Sequence, residues 1–316
     1  MDELLSVENL TVRFRRGDVV TTPVREVSFA LAAGKRLAIV GESGGGKSMT
    51  ALALTGLSPT DRAERSGRVR FLGRELLALP ADELRGLRGR GGIAYVFQDP
   101  AAALNPVMRI GAQIAECLDG PSAGRRREIV RLLGRVGLPD PEAAARAYPC
   151  AFSGGMQQRA MVAMALAGRP RLLVADEPTT ALDVTTQRQV LDLVEQLVRE
   201  SGMSLLLITH NLGIVAGRAD RVAVMYAGQV VETGPVAEVL RRPWHPYTAG
   251  LLAAVPRLDG PRDRPLAGIA GSVPSPDAWP AGCAFQDRCP RQDDTCRQPP
   301  PVRDDGAGRQ ARCWRP

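Results

Sequence analysis

Gly41-Glu42-Ser43-Gly44-Gly45-Gly46-Lys47-Ser48 is the stretch on which the reading of this chain turns. It follows G-x-x-x-x-G-K-[ST], the pattern of a loop that cradles phosphates. Its flanks suit a phosphate loop, since residues 37–40 (LAIV) form an apolar run of strand length and residues 47–57 are compatible with a helix. Glycines let successive backbone N–H groups turn inward around an anion, and the helix N-terminus adds positive potential. In this pattern Lys47 reaches the β- and γ-phosphates and Ser48 holds Mg²⁺, while Gly41, Ser43, Gly44 and Gly46 line the loop. The chain has two lysines, Lys35 and Lys47, among 41 cationic side chains. One of the two falls where the motif needs it.

Outward from the loop, further short apolar runs occur at residues 93–97 (IAYVF), 172–175 (LLVA) and 205–208 (LLLI). Runs this short suit strands buried on both faces of an α/β sheet. Residues 7–14 and 68–72 alternate apolar and polar, as half-buried strands do, and residues 221–233 read as two strands around Ala227 and Gly228. Helix-compatible stretches cover residues 124–136, 156–168 and 186–200. The run at 172–175 leads into Asp176 and Glu177. At the carboxyl edge of a parallel strand, Asp176 polarises the Mg²⁺ shell and Glu177 orients or deprotonates the attacking water. Loop and acid pair together point to Mg-nucleotide hydrolysis.

Composition narrows the classes. The chain has 316 residues, 44% of them hydrophobic and 24% charged, an ordinary globular balance. No apolar run approaches the roughly 18 residues of a membrane span. The opening MDELLSVENL carries Asp2 and Glu3 with no basic region, so no secretory signal is expected and the cytosol is the expected compartment. The net charge of +7 raises the question of nucleic acid, but the arginines are spread along the chain. The one dense run, residues 125–127, reads as a solvated helix face.

Between the two nucleotide motifs lies Phe152-Ser153-Gly154-Gly155-Met156-Gln157-Gln158-Arg159, opening an alanine- and methionine-rich helix. Here the sequence resembles the nucleotide-binding subunits of ABC transporters, whose signature is an S-G-G at a helix start. The resemblance implies an α/β P-loop NTPase core of ABC type with a helical signature subdomain. It also implies that Ser153, Gly154 and Gly155 of one subunit cap the ATP held by another, through backbone amides and a positive helix end. Other family elements follow in order. Gln98 matches the glutamine that contacts Mg²⁺ and water and senses the membrane subunits. Ala181-Leu182-Asp183 matches the segment crossing the dimer interface, and His210 the histidine at the γ-phosphate. Phe14 is the candidate for stacking on adenine, with a core strand residue as its alternative. Residues 97–114 (FQDPAAALNPVMRIGAQI) and 245–256 (HPYTAGLLAAVP) look like the oligopeptide/dipeptide import group, which includes nickel importers. Gln157 stands where that group often has arginine, and Asn211 where aspartate usually follows the histidine.

Texture changes near Arg242, and residues 243–316 are rich in proline and glycine and hold four of the six cysteines. Residues 1–242 are therefore read as one nucleotide-binding domain, with its helical subdomain at about 99–168 by the resemblance. Residues 243–316 are read as a small irregular appendage, too poor in apolar residues for a core of its own. It therefore needs docking or a staple. Cys283, Cys289, Cys296 and Cys313 are spaced C-x5-C-x6-C-x16-C. Disulfides do not suit a cytosolic chain, and the gaps exceed the usual two to four residues of zinc pairs. Four thiolates suit an iron–sulfur cluster, and the import group has a similar tail in which some members are understood to carry a [4Fe-4S] cluster; zinc and free thiols stay open. Cys117 and Cys150 are expected as buried small apolar residues.

The resemblance implies an ATPase that powers import of peptides through two transmembrane permease subunits, at the cytoplasmic face of the membrane. It further implies a second ABC ATPase subunit, favoured as a sister chain, and an extracytoplasmic solute-binding protein. Nickel or another small solute is the alternative cargo. A soluble ABC ATPase working on nucleic acid would call for a second phosphate loop, a long coiled-coil insertion or aromatics among basic residues. None of these is in the sequence. Intact Lys47, Asp176, Glu177 and His210 speak against a non-hydrolysing redox module.

Overall fold

The computed structural model describes residues 3–58, 60, 63–118, 124–179, 183–255 and 268–316. They fall into two compact units, residues 1–78 with 207–316, and residues 79–206.

In the first unit an antiparallel sheet runs in the order Val19–Ala32, Glu3–Arg16, Ala63–Phe71, Arg74–Glu75. The alternation read at residues 7–14 changes phase on the way: Leu5 and Val7 are buried, and so are Leu10 and Val12. Period-two pleating cannot bury both pairs on one face without an extra residue. The pairing with Val19–Ala32 slips between Val7 and Leu10, where Asn9 takes a φ of 51° and donates its backbone N–H to Ser28 Oγ at 2.8 Å.

A second sheet carries the phosphate loop. Arg36–Val40 pairs in parallel with Arg221–Tyr226, Val40 lying opposite Val224. Arg221–Tyr226 turns back on Gln229–Pro235 through Ala227 and Gly228, both at positive φ (49° and 77°), the geometry that suits a tight hairpin. The chain's last strands extend this sheet: Gln310–Arg312 pairs with Gln229–Pro235, and Val302–Asp304 with Gln310–Arg312. Among the described residues, those of 243–316 do not build a separate core. Tyr247, Cys283, Ala284 and Phe285 pack in one cluster with Val40, Val222, Val224, Tyr226 and Val239. Docking thus supplies what the composition of this region lacked.

The buried carboxylate in that seam is matched by donors. Glu232, with no side-chain exposure, accepts from Arg309 Nη2, Trp244 N and His245 N, each at 2.9 Å. The Arg309 guanidinium also lies 4.3 Å from the centroid of the Trp244 ring. A buried carboxylate needs this many donors to offset its lost hydration. His245 is buried and kept neutral, its pKa pushed down to about 3 by desolvation. Its Nδ1 accepts from Tyr247 N at 3.0 Å and caps the helix Pro246–Ala253.

In the second unit Ile93–Val96 and Leu172–Asp176 pair in parallel, Val96 opposite Ala175. Helices Ile110–Cys117, Arg125–Arg135, Pro141–Arg146 and Val184–Ser201 accompany the central helix Gly154–Ala167. That helix buries Ala160, Met161, Val162, Ala163, Ala165, Leu166 and Ala167, nearly its whole circumference. From Ala160 onward it has no polar face, and such a helix belongs in a core. Arg125–Arg135 has the opposite character: it buries Ile129, Leu132 and Leu133 and leaves Arg126 and Arg127 exposed. The two cysteines expected as buried small apolar residues are not buried. Cys150 is exposed, because Pro149 takes the buried place in the short turn Pro149–Ala151, and Cys117 is only half-buried. No described helix is long and apolar enough to cross a membrane.

Candidate active site

The phosphate loop leaves the buried strand Arg36–Val40 and ends in the helix Lys47–Leu54. Gly44 and Gly46 have φ of 79° and 91°, in the left-handed region that favours glycine. At Gly46 a Cβ would also collide with the Pro23 carbonyl oxygen, and at Gly41 with that of Met225. No side chain caps the helix start at Gly46. Ser43 and Gly44 are exposed, Ser48 is half-buried, and Lys47 is buried with its Nζ donating to Glu42 O at 3.0 Å. Folding has thus curled the lysine back over its own loop.

In the second unit, Asp176 ends its strand and Glu177 follows at φ 43°, both buried. A non-glycine residue held in the left-handed region costs of order 1–3 kcal/mol, and such strain clusters at functional sites. The parallel register explains the third member. The paired strands end with Val96 opposite Ala175, and just beyond them Gln98 Nε2 donates to Glu177 Oε2 at 3.5 Å.

The signature segment lies in the same unit. Ser153 caps the helix Gly154–Ala167 by accepting from Met156 N at 3.4 Å, and Ser153 and Gly154 are exposed. Gly155 is packed so that a Cβ would stand 2.8 Å from Thr186 Cγ2. Gln157, the departure from the group's arginine, ties its amide to Pro149 O at 2.9 Å and Phe152 O at 3.4 Å, bracing the turn before the signature. Asp183 caps Val184–Ser201, accepting from Thr186 N and Thr185 N, and these hydrogen bonds hold its carboxyl below the usual carboxylate range. Its neighbours Ala181 and Leu182 lie outside the described residues.

His210 is exposed directly after the buried strand Ser204–Thr209. Asn211 accepts from Gly213 N at 2.9 Å and caps Leu212–Val215, so asparagine fills the capping role open to aspartate. Phe14 is half-buried on Glu3–Arg16, opposite Thr21 and Ala63. Two residues that the sequence reading gave no role meet the phosphate loop, Tyr247 and Arg288, both at Glu42, and a third, Tyr226, accepts from Arg288 Nη1. Tyr247 lay in the 245–256 stretch and Tyr226 in the strand pair read at 221–233, while Glu42 stood at a variable position of the motif.

The four C-terminal cysteines line one cavity together with His245, Phe285 and Trp314. Burial pushes Cys283 up to about 11 and raises Cys289 and Cys313, each further raised by neighbouring thiols. The expected ligand set is not formed as such: among the described residues no group of three or more His, Cys, Asp or Glu is placed to hold a metal ion. The sulfurs instead make local bonds. Cys289 Sγ accepts from Arg291 N and Cys313 Sγ from Arg315 N, both at 3.4 Å, and Cys296 Sγ lies 3.8 Å from Asp293 Oδ1. The expectation of an iron–sulfur cluster or zinc therefore gains only the convergence of four thiols on one cavity.

A glycine cradle with a buried lysine, an acid pair aligned with a glutamine by strand register, and a serine-capped S-G-G helix define a class, the ATP-hydrolysing P-loop enzymes of ABC type. Comparison places the chain more closely. Residues 24–180 match the family described as ABC transporter, and residues 231–296 the oligopeptide/dipeptide transporter C-terminal region. The chain is 47% identical over 317 residues to the oligopeptide transport ATP-binding protein OppD of Salmonella typhimurium, covering 99% of this chain and 94% of that one. It is 46% identical to the dipeptide transport ATP-binding protein DppD of Bacillus subtilis, over 94% of this chain and 89% of that one. Among solved structures, the post-hydrolysis dimer of the ATP-binding cassette MJ0796 with ADP and Pi aligns at a TM-score of 0.65 and 26% identity. That alignment covers 73% of this chain and 98% of that one. The chain belongs to the ABC transporter ATP-binding subunits of the oligopeptide/dipeptide family.

Proposed function

We propose that this chain hydrolyses ATP to drive import of di- and oligopeptides through two separate permease subunits. It would act at the cytoplasmic face of the membrane with a second ABC ATPase, a sister chain, and with an extracytoplasmic solute-binding protein delivering cargo. One observation carries the reading. The similarity to peptide-import ATP-binding proteins runs through both the cassette and the C-terminal region, nearly end to end.

The residues divide the work. The 41–48 loop wraps the triphosphate with backbone N–H groups, Lys47 neutralises the β- and γ-oxygens, and Phe14 stacks on adenine. Ser48, Asp176 and Gln98 offer hard oxygen donors of the kind Mg²⁺ prefers, and the ion, when bound, offsets charge on the transferred phosphoryl group. Glu177 takes the proton of the attacking water, and Gln98, already hydrogen-bonded to it, keeps its carboxylate oriented. Ser153, Gly154 and Gly155 cap the nucleotide of the opposing subunit, Asp183 crosses that interface, and His210 contacts the γ-phosphate. Residues 1–242, with the helical part near 99–168, act as the nucleotide-binding domain, and 243–316 as the family-specific region.

A pull-down with the Glu177→Gln chain from native membranes in ATP tests this. Two multi-span subunits, a second ATPase and a solute-binding protein are the expected catch, and only nucleic-acid or ribosomal partners would overturn the transport reading. We propose separately that Cys283, Cys289, Cys296 and Cys313 hold a [4Fe-4S] cluster, supported by their shared cavity. Anaerobically purified protein is then expected to contain about four irons per chain with matching sulfide. Stoichiometric zinc, or no metal at all, would refute it.

A further inference from the structure

The C-terminal region grips the phosphate loop at its second residue. Glu42 donates its backbone N–H to Tyr247 Oη at 2.8 Å. Its carboxylate takes both arms of Arg288, Nη1 to Oε2 at 2.7 Å and Nη2 to Oε1 at 3.0 Å. Such a fork fixes direction as well as distance. Arg288 is itself held firmly: Nε donates to Ala270 O at 2.8 Å, Nη2 to Ile269 O at 3.2 Å and Nη1 to Tyr226 Oη at 3.3 Å. Its side chain is 5% exposed, and Tyr247 is wholly buried against Tyr226 and Phe285. From Glu42 the contacts continue into the loop, because its carbonyl accepts from Lys47 Nζ and from Gly45 N.

Anchorage of the C-terminal region alone does not call for this arrangement. Apolar packing at the Tyr226, Tyr247 and Phe285 cluster already docks that region, and an ion pair whose carboxylate is 31% exposed is a weak source of stability beside it. What the pair uniquely constrains is a glycine-rich loop, which otherwise loses much conformational freedom on closing around an anion. Ordering it beforehand lowers that cost and raises affinity.

We propose that Arg288 and Tyr247 are positioning residues of the nucleotide site: through Glu42 they hold the 41–48 loop ready for phosphate, so that the C-terminal region sets the affinity for ATP. The inference rests on reading the 41–48 loop as the nucleotide loop. Its test uses the full chain, with ATP affinity by titration and KM and kcat by steady-state hydrolysis. Arg288→Ala is expected to weaken ATP binding about tenfold, KM rising in step while kcat stays within about twofold. Glu42→Gln should do the same, and the double variant no worse than either alone. Arg288→Lys recovers part of the loss, since an ammonium keeps the charge but not the fork. Tyr247→Phe removes one oxygen, leaves the ring packed, and should cost about threefold in affinity. It decides the matter if Arg288→Ala does not fold. Folded variants with lowered melting temperatures but unchanged ATP affinity and KM would overturn the proposal and leave a plain anchor. Lys47→Ala in the same titration separates the two levels: if it too binds ATP normally, the nucleotide-loop reading has failed rather than the clamp.

Discussion

Glu177→Gln is expected to lower ATP turnover by at least about 100-fold while nucleotide still binds. The substitution is nearly isosteric. Its amide oxygen can still accept from Gln98 Nε2, which now reaches Oε2 at 3.5 Å, so the alignment set by the paired strands survives. The left-handed backbone at Glu177, φ 43°, is unchanged by the swap, and stability should hold. What disappears is the negative charge that receives the water's proton. Since chemistry and not binding is removed, kcat should collapse with little change in the ATP concentration needed for half-saturation. Single-turnover hydrolysis alongside equilibrium ATP binding makes the distinction, and residual turnover above a tenth of the parent would remove Glu177 from its assigned role.

Lys47→Ala should fail at the earlier step. Lys47 is 4% exposed and sits over its own loop with Nζ on the Glu42 carbonyl, so its ammonium lies in a largely desolvated setting. A charge placed in such a low-dielectric setting interacts strongly with a triphosphate, and its loss should weaken ATP binding by about 100-fold or more. Lys47→Arg is not expected to rescue it, because a broad planar guanidinium does not replace a compact ammonium within a tight glycine loop. Thermal unfolding provides the readout: saturating ATP should raise the melting temperature of the parent and leave that of Lys47→Ala nearly unmoved. An equal shift in both would show that the nucleotide binds elsewhere or without this lysine.

Much of the chemistry was legible in the sequence because it is local. A phosphate loop works through consecutive backbone N–H groups and one lysine at fixed spacing, and Ser153 caps its helix over three residues. Asp176 and Glu177 needed only the apolar run before them to be placed at a strand's end. Other features were hidden for the opposite reason. Strands of three residues, Val302–Asp304 and Gln310–Arg312, are too short to show alternation, and their existence depends on the edge offered by Gln229–Pro235. The phase slip at Asn9 breaks the pattern that a periodic reading follows. The cysteines mark the limit of spacing as evidence, since their order suggested a ligand set while their placement shows only a shared cavity.

The reaction class was readable from residue order, since the groups assigned to phosphate, metal and water sit in motifs with their own fixed spacing. Folding alone brings Gln98 against Glu177, 79 residues away, and lets Arg288 hold Glu42 across 246 residues. Contacts of that range are chosen by strand register and by the burial of Tyr226, Tyr247 and Phe285, which no local periodicity encodes.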